Sequence, residues 1–119
     1  MLEKITTYYG KFPDSLVRQI IFNPVTGNRA SNIEVTLSCY NIKHEMRPEI
    51  IKLCFKDIVE IKLTQFKNNP SMFLDEIYIN NINGLIVFDF FPIDHFDYLE
   101  ENPNSNFIIK CNTINYEVL

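Results

Sequence analysis

The chain has 119 residues, of which 46% are apolar and 22% charged, a composition typical of one folded domain spanning residues 1–119 and unlike that of a disordered chain. Its three glycines, Gly10, Gly27 and Gly84, lie too far apart for the phosphate-binding loops of dinucleotide-binding and P-loop proteins, so both kinds of nucleotide site are excluded. The net charge of −4 disfavours a nucleic-acid-binding domain, which is expected to be basic.

The cysteines and the apolar runs bear on the compartment. Cys39, Cys54 and Cys111 are odd in number and show no CxxC spacing, which is typical of free thiols in a reducing environment. The first ten residues mix charged and polar side chains into the apolar positions, unlike a signal peptide. The longest uninterrupted apolar run, residues 85–88, is far shorter than a membrane span. We therefore expect a cytoplasmic protein.

The clearest element is a strand over residues 33–39, where apolar and polar side chains alternate. An apolar, β-branched segment at residues 16–22 precedes it. Residues 23–28, between the two segments, are rich in Pro, Gly and Asn, which favour turns. The two segments are therefore predicted to form a hairpin with a long loop.

Six further strands are predicted from the same alternation, at residues 51–55, 59–63, 76–80, 85–91, 107–111 and 114–118. Periodicity alone also permits a helix over residues 50–63. A loop is predicted around residues 68–70, a tight turn at residues 81–84 and another turn at residues 112–113. Together the segments predict a mainly β, or α+β, domain of about eight short strands in an antiparallel sheet or sandwich.

One short helix is predicted near residues 94–101. Asp94 is suited to cap its first turn, and Asn102-Pro103 prevents its continuation because the residue before proline is disfavoured in the helical region. On such a helix, Phe96 and Leu99 would face the core and the carboxylates would face solvent.

Charge is distributed unevenly along the chain. Residues 1–74 carry ten Lys/Arg against seven Asp/Glu, whereas residues 75–119 carry one Lys against eight Asp/Glu. This asymmetry indicates a charged partner. We predict an acidic surface that steers a basic protein into contact, with exposed Tyr98 as an anchor. The candidate partner-binding residues are Asp75, Glu76, Asp89, Asp94, Asp97, Tyr98, Glu100 and Glu101. The alternative is a solvated loop that only keeps the protein soluble.

Asp89 shares its strand phase with Leu85, Val87 and Phe91, so it lies either at a sheet edge or in a desolvated, functional position. A second hypothesis is a small hydrolase or metal-dependent enzyme centred on Asp89, Asp94 and His95. It lacks a nucleophile motif and a second nearby histidine. We therefore expect no catalysis, no metal and no cofactor.

Nucleic-acid binding is a further alternative, because basic side chains recur through the middle of the chain. Lysines in alternating strands more often decorate a solvated face or protect an edge, so we expect no direct nucleic-acid contact and no membrane contact. The residues concerned are Lys43, His44, Arg47, Lys52, Lys56, Lys62 and Lys67.

Two segments carry a resemblance to a known family. Residues 9–15, Tyr-Gly-Lys-Phe-Pro-Asp-Ser, resemble the FHDS opening of small bacterial immunity-type domains, the antitoxin partners of polymorphic and contact-dependent growth-inhibition toxins. Pro13 stands where that family has histidine, and Phe12 and Asp14 remain in the pattern as core anchor and turn cap. Residues 105–111 and 114–116 are similar to the closing hairpin of the same group.

The resemblance implies a non-enzymatic, cytoplasmic protein that binds a cognate toxin domain, often a basic nuclease. The acidic residues would then take the place of the nucleic acid, and association would be fast and sensitive to salt. The sequence thus predicts an immunity protein. A generic interaction module with no toxin partner is the remaining alternative, and the oligomeric state is left open.

Overall fold

The computed structural model describes residues 1–24, 31–64 and 72–119. Within these ranges the chain forms one α-helix, α1 (Leu2–Tyr9), a 3-10 turn (Ile42–His44) and nine strands. The strands are β1 (Ser15–Asn23), β2 (Asn32–Asn41), β3 (Arg47–Leu63), β4 (Met72–Leu74), β5 (Tyr78–Ile82), β6 (Leu85–Asp89), β7 (Ile93–Asp94), β8 (Leu99–Glu100) and β9 (Phe107–Val118). The prediction of a mainly β fold is confirmed. In the described part of the chain, no helix has the length and apolarity needed to cross a bilayer.

Seven strands form one antiparallel sheet in the order β4-β1-β2-β3-β9-β6-β5, and this sheet curls into a half-barrel. The remaining two, β7 and β8, pair only with each other. The long strands β3 and β9 lie next to each other near the middle of the sheet. These two strands position the others on both sides, because β2 pairs with β3 and β6 pairs with β9.

The core lies between the buried face of the sheet and α1. Ile5 and Tyr9 are spaced four residues apart, on one side of the helix, and both are buried. Aromatic rings fill the space farther along the sheet, where Phe90 stacks on Phe107 with ring centroids 4.0 Å apart. Cys111 is also buried, and burial raises the pKa of its thiol to about 11.

A polar network joins α1 to the sheet. The hydroxyl of Tyr9 donates a hydrogen bond to the carboxylate of Glu49 on β3 (2.7 Å), and Arg47 donates two more from its guanidinium. Burial disfavours the charged form of Glu49, but the hydrogen bonds from Tyr9, Arg47 and Asn41 outweigh it and lower the pKa of this carboxyl. The helix is thereby fixed against the sheet by a charged acceptor.

Two of the predicted hairpins are confirmed. The strands predicted at residues 16–22 and 33–39 are β1 and β2, and part of their predicted loop, residues 25–28, lies outside the described residues. The tight turn at residues 81–84 joins β5 to β6, with Asn83 (φ 52°) and Gly84 (φ 88°) in the left-handed region. Asn and Gly tolerate that region better than other residues.

Two predicted pairs of strands are each a single strand. Residues 51–55 and 59–63 belong to β3, because a bulge between Ile58 and Glu60 absorbs the change of phase without ending the pairing. Residues 107–111 and 114–118 belong to β9, because Thr113 continues the ladder opposite Lys56 and its hydroxyl donates to Asp57 (3.0 Å). The closing hairpin inferred from the family resemblance is therefore absent.

The predicted helix near residues 94–101 is wrong, since this segment contains β7 and β8. The helix of the described chain lies at Leu2–Tyr9, where none was predicted. The predicted loop around residues 68–70 lies outside the described residues.

Candidate functional site

Three of the predicted acidic residues, Asp94, Asp97 and Glu100, lie on a small hairpin, residues 93–100, called here the acidic hairpin. Ile93 pairs with Glu100 and Asp94 with Leu99. The backbone N–H of His95 donates to the carbonyl of Tyr98 (3.0 Å). The chain therefore reverses at residues 96 and 97, which form the tip.

Local hydrogen bonding explains why this segment is a hairpin rather than a helix. The Asp94 carboxylate accepts a hydrogen bond from the N–H of Phe96 (2.8 Å), as a helix cap would, but Phe96 then adopts φ 71° in the left-handed region. That conformation ends any helix, and side-chain bonds of this kind compete with helix formation. The helix would also have placed Asp97 and Glu101 on one face as a like-charge pair.

Aromatic side chains lie exposed on the acidic hairpin. Phe96 is fully exposed and Tyr98 is 57% exposed. The His95 ring stacks on Tyr98 with centroids 4.6 Å apart. The expectation that Phe96 docks into the core is therefore wrong, whereas exposure of Tyr98 is as predicted.

The carboxylates of the acidic hairpin lie at the surface. Asp94, Asp97 and Glu100 are exposed. One oxygen of Glu100 lies 2.9 Å from His95 Nε2, and within the described residues no ion pair involves Asp97. These carboxylates are thus available to an external cation.

Glu101, which follows the hairpin, is partly neutralised within the molecule. Its carboxylate lies 3.2 Å from Lys110 Nζ, and the same ammonium lies 3.5 Å from Glu60. Burial disfavours the charged form of Lys110, but the two carboxylates outweigh it and raise the pKa of the lysine. Glu101 therefore belongs at the margin of the acidic surface.

Asp89 does not belong to the surface. It is completely buried on β6, which lies between β5 and β9, so both the predicted partner contact and the sheet-edge position are wrong. One of its carboxylate oxygens accepts from the N–H of Phe91 (3.0 Å), and the other accepts from the N–H of Asn102 (2.7 Å). Asp89 is desolvated but satisfied by backbone donors, which is how a buried carboxylate is tolerated.

These bonds close the base of the acidic hairpin. The side-chain amide of Asn102 donates to the carbonyl of Phe91 (3.1 Å), and its carbonyl oxygen accepts from the N–H of Asn104 (2.9 Å). Phe91 precedes the hairpin and Asn102 follows it, so the two ends of the loop are tied to each other and to the sheet. We call Asp89, Phe91 and Asn102 the Asp89 clamp.

Two of the other predicted residues lie close to the hairpin. A groove of about 260 Å³ is lined by Asp75, Glu76, Asp94 and Leu99, among others. The fold thus brings together carboxylates that are almost 20 residues apart in sequence. Of the eight predicted residues, only Asp89 is separated from the acidic surface by burial.

Phe73, on the edge strand β4, is a surface residue that the sequence analysis missed. Its side chain is 62% exposed and lines the acidic groove. It also lines a larger groove of about 520 Å³, together with Leu16 and Ile50 from the outer face of the sheet. The strand β4 has three residues, too few for alternation to give a signal.

The structure does not bring Asp89, Asp94 and His95, the residues of the enzyme hypothesis, into one site. Asp89 bonds the backbone of its own loop, Asp94 bonds the N–H of Phe96, and His95 faces Glu100. Across the three described ranges, no group of three or more His, Cys, Asp or Glu side chains is arranged to hold a metal ion. These three residues therefore have structural partners rather than a shared substrate position.

The basic residues of the nucleic-acid alternative are partly engaged within the protein. Lys52 pairs with Glu117 (2.9 Å), and Arg47 pairs with Glu49 (2.7 Å). Lys62 donates to the carbonyl of Pro103 (3.2 Å). Lys43 lies over the ring of Tyr8, and Lys67 lies outside the described residues. These contacts favour the solvated-face interpretation of the lysines.

Comparison with protein-family models, curated proteins and solved structures gave no match to this chain. The function is therefore argued from the site itself.

The Asp89 clamp makes a testable prediction. Asp89→Asn keeps the size of the side chain but replaces one acceptor with an amide that faces a backbone N–H. We expect a loss of about 1–3 kcal/mol in the free energy of unfolding, because a buried donor is left unsatisfied. Urea denaturation measures the loss, and hydrogen exchange at Asn102 should accelerate.

Asp94→Asn is the matched control, because Asp94 is exposed and its amide retains the acceptor for the Phe96 N–H. Its effect should stay within about 0.5 kcal/mol. Equal stabilities for the two variants would contradict the role given to Asp89.

Proposed function

We propose that this chain is a non-enzymatic binding protein that holds a basic protein through the acidic hairpin, and that its partner is a bacterial toxin domain. In this proposal the chain is an immunity protein, present in the cytoplasm, that neutralises the toxin by direct contact. One observation carries the proposal: the buried carboxylate of Asp89 fixes a hairpin that exposes carboxylates and aromatic rings to solvent.

The tip itself supports a binding role over a solvating one. Phe96 is fully exposed and has φ 71°, a conformation that costs an L-residue about 1–2 kcal/mol. Glycine or asparagine would relieve this strain, and a polar side chain would be better solvated. A large apolar ring at this position contributes nothing to the fold, but it matches the aromatic anchors that dominate binding energy in protein interfaces.

Charge supports a cationic partner. From residue 68 to residue 109 the sequence contains no Lys or Arg. This segment, which includes the acidic hairpin, therefore supplies no lysine or arginine to neutralise its own carboxylates. Exposed carboxylates grouped on one surface accelerate encounter with a basic protein and repel nucleic acid. Phe73, exposed beside Asp75 in the groove, offers a second aromatic contact.

The toxin partner rests on the resemblance of residues 9–15 to immunity-type domains, together with this charge. Many toxin domains of that kind are nucleases, whose substrate is a polyanion. A surface with several carboxylates around an aromatic anchor occupies such a cationic active site, or a surface beside it, in place of the substrate. This inhibition requires no catalytic group in the immunity protein.

Removing two charges from the acidic hairpin tests the electrostatic part of the proposal. For Asp97→Asn/Glu100→Gln we expect association with the product of the adjacent gene to slow by about two- to tenfold at low salt, because steering depends on the local field. Stopped-flow or surface plasmon resonance measurements at several salt concentrations provide the rates, and the difference should shrink as salt rises.

The matched control is Glu3→Gln/Glu45→Gln, which changes net charge equally at two exposed positions outside the acidic surface. Its association rate should stay close to that of the wild type. If the two double variants slow association equally, net charge alone matters and the acidic hairpin is not the docking surface.

Phe96→Gly tests the aromatic anchor. Glycine suits a positive φ and no buried area is lost, so the free energy of unfolding should change by no more than about 1 kcal/mol. Affinity for the same partner should fall at least about tenfold, mainly through faster dissociation. Unchanged dissociation from a correctly folded variant would exclude Phe96 from the interface.

A further inference from the structure

The second half of β3 is paired on one side only. β2 pairs with β3 from Arg47 to Lys56, whereas β9 pairs with it as far as Leu63. Beyond Lys56, no strand among the described residues lies on the side opposite β9. Val59 is 60% exposed and Leu63 is 37% exposed, so these side chains are accessible to solvent among the described residues.

The hydrogen-bonding pattern shows which backbone groups point outward. The N–H of Thr64 donates to the carbonyl of Asn106 directly opposite (2.9 Å). Since bonded and non-bonded pairs alternate in an antiparallel ladder, Lys62 and Glu60 also bond towards β9. Ile61 and Leu63 therefore direct their N–H and C=O groups away from β9, towards the free side.

The opposite strand agrees with this assignment. The N–H of Phe90 donates to the carbonyl of Phe107 (3.0 Å), so Phe107 and, two residues later, Ile109 bond towards β6. These are the residues that lie opposite Leu63 and Ile61. The outward groups of Ile61 and Leu63 thus have no ladder partner in the described part of the molecule.

We propose that this edge pairs with the same edge of a second copy of the chain, antiparallel and around a twofold axis at Ile61. Ile61 then exchanges two backbone hydrogen bonds with Ile61 of the second copy. Glu60 lies opposite Lys62 of the second copy, and Val59 lies opposite Leu63. By symmetry the Glu60–Lys62 and Val59–Leu63 contacts each occur twice, whereas the Ile61 pair lies on the axis and occurs once.

Charge selects this register. The outward-pointing groups also permit the two neighbouring registers, in which Ile61 lies opposite Leu63 or opposite Val59 of the second copy. One neighbouring register places Lys62 opposite Lys62, and the other places Glu60 opposite Glu60. Opposite charges that face each other across a strand pair stabilise it, and like charges destabilise it. Of these three registers, the one centred on Ile61 is therefore favoured, because it places each Glu60 opposite a Lys62.

The two charged side chains are accessible for these contacts. Glu60 and Lys62 are both exposed, and the Glu60 contact with Lys110 is long at 3.5 Å. Lys62 exchanges its bond to the carbonyl of Pro103 (3.2 Å) for the glutamate of the second copy. A lysine on an edge by itself opposes association. Here each lysine meets a glutamate, so the edge is complementary to itself.

Sedimentation equilibrium on the full chain, from micromolar to millimolar concentration at low salt, tests the proposal. The wild type should dimerise. Glu60→Lys and Lys62→Glu should each weaken dimerisation at least about tenfold, because each creates two like-charge pairs. An equimolar mixture of the two variants should form a heterodimer with affinity close to that of the wild type, because every pair is then opposite again.

Lys56→Glu is the control, since Lys56 is exposed on the same strand but lies between β2 and β9. It should dimerise like the wild type. The double variant Glu60→Lys/Lys62→Glu should also restore the homodimer. A wild type that is monomeric at all concentrations would overturn the proposal, as would dimers that are indifferent to both charge reversals or variants that fail to associate when mixed.

Discussion

The carboxylate of Asp89 is buried on β6 and accepts one backbone N–H on each oxygen, from Phe91 and from Asn102. The position of the acidic hairpin depends on this constraint, because these two residues bracket the hairpin. The half-barrel and α1 supply the stable core behind it. The tip is thereby free to carry residues that do not favour folding, such as Phe96 at a positive φ. The core that stabilises the fold and the hairpin that we propose binds a partner thus lie in separate parts of the chain.

Much of the fold is predictable from local patterns. Alternation over residues 33–39 and the Asn83-Gly84 turn depend only on neighbouring side chains, and both appear as predicted. The predicted breaks within β3 and β9 are wrong for a physical reason. Polar and turn-forming residues end a strand only when nothing pairs with them, whereas a bulge and the bond between Thr113 and Asp57 keep both strands paired. These pairings join β3 to β9, which are far apart in the sequence, so the pattern within one segment does not reveal them.

The acidic site was predictable in composition but not in geometry. The concentration of carboxylates after residue 75 is a property of the sequence, and Tyr98 lies exposed as expected. The sequence could not decide between a sheet-edge and a desolvated position for Asp89, because its role depends on backbone donors 2 and 13 residues away. Phe96 was assigned to the core because a helical period was assumed, and Phe73 shares a groove with Asp94 and Leu99 only in the folded chain. Long-range contacts decide the positions of Asp89 and Phe73, whereas the local bond to Asp94 decides that of Phe96.

The central claim is that the acidic hairpin, with the groove beside it, is the surface that contacts a basic partner. Chemical-shift mapping of the labelled chain, titrated with the product of the adjacent gene, tests it most directly. We predict that the largest changes fall on the amides of residues 93–100 and on Phe73, Asp75 and Glu76. A footprint confined to α1, or to the lysine-bearing outer face around Lys52 and Lys56, would contradict the account.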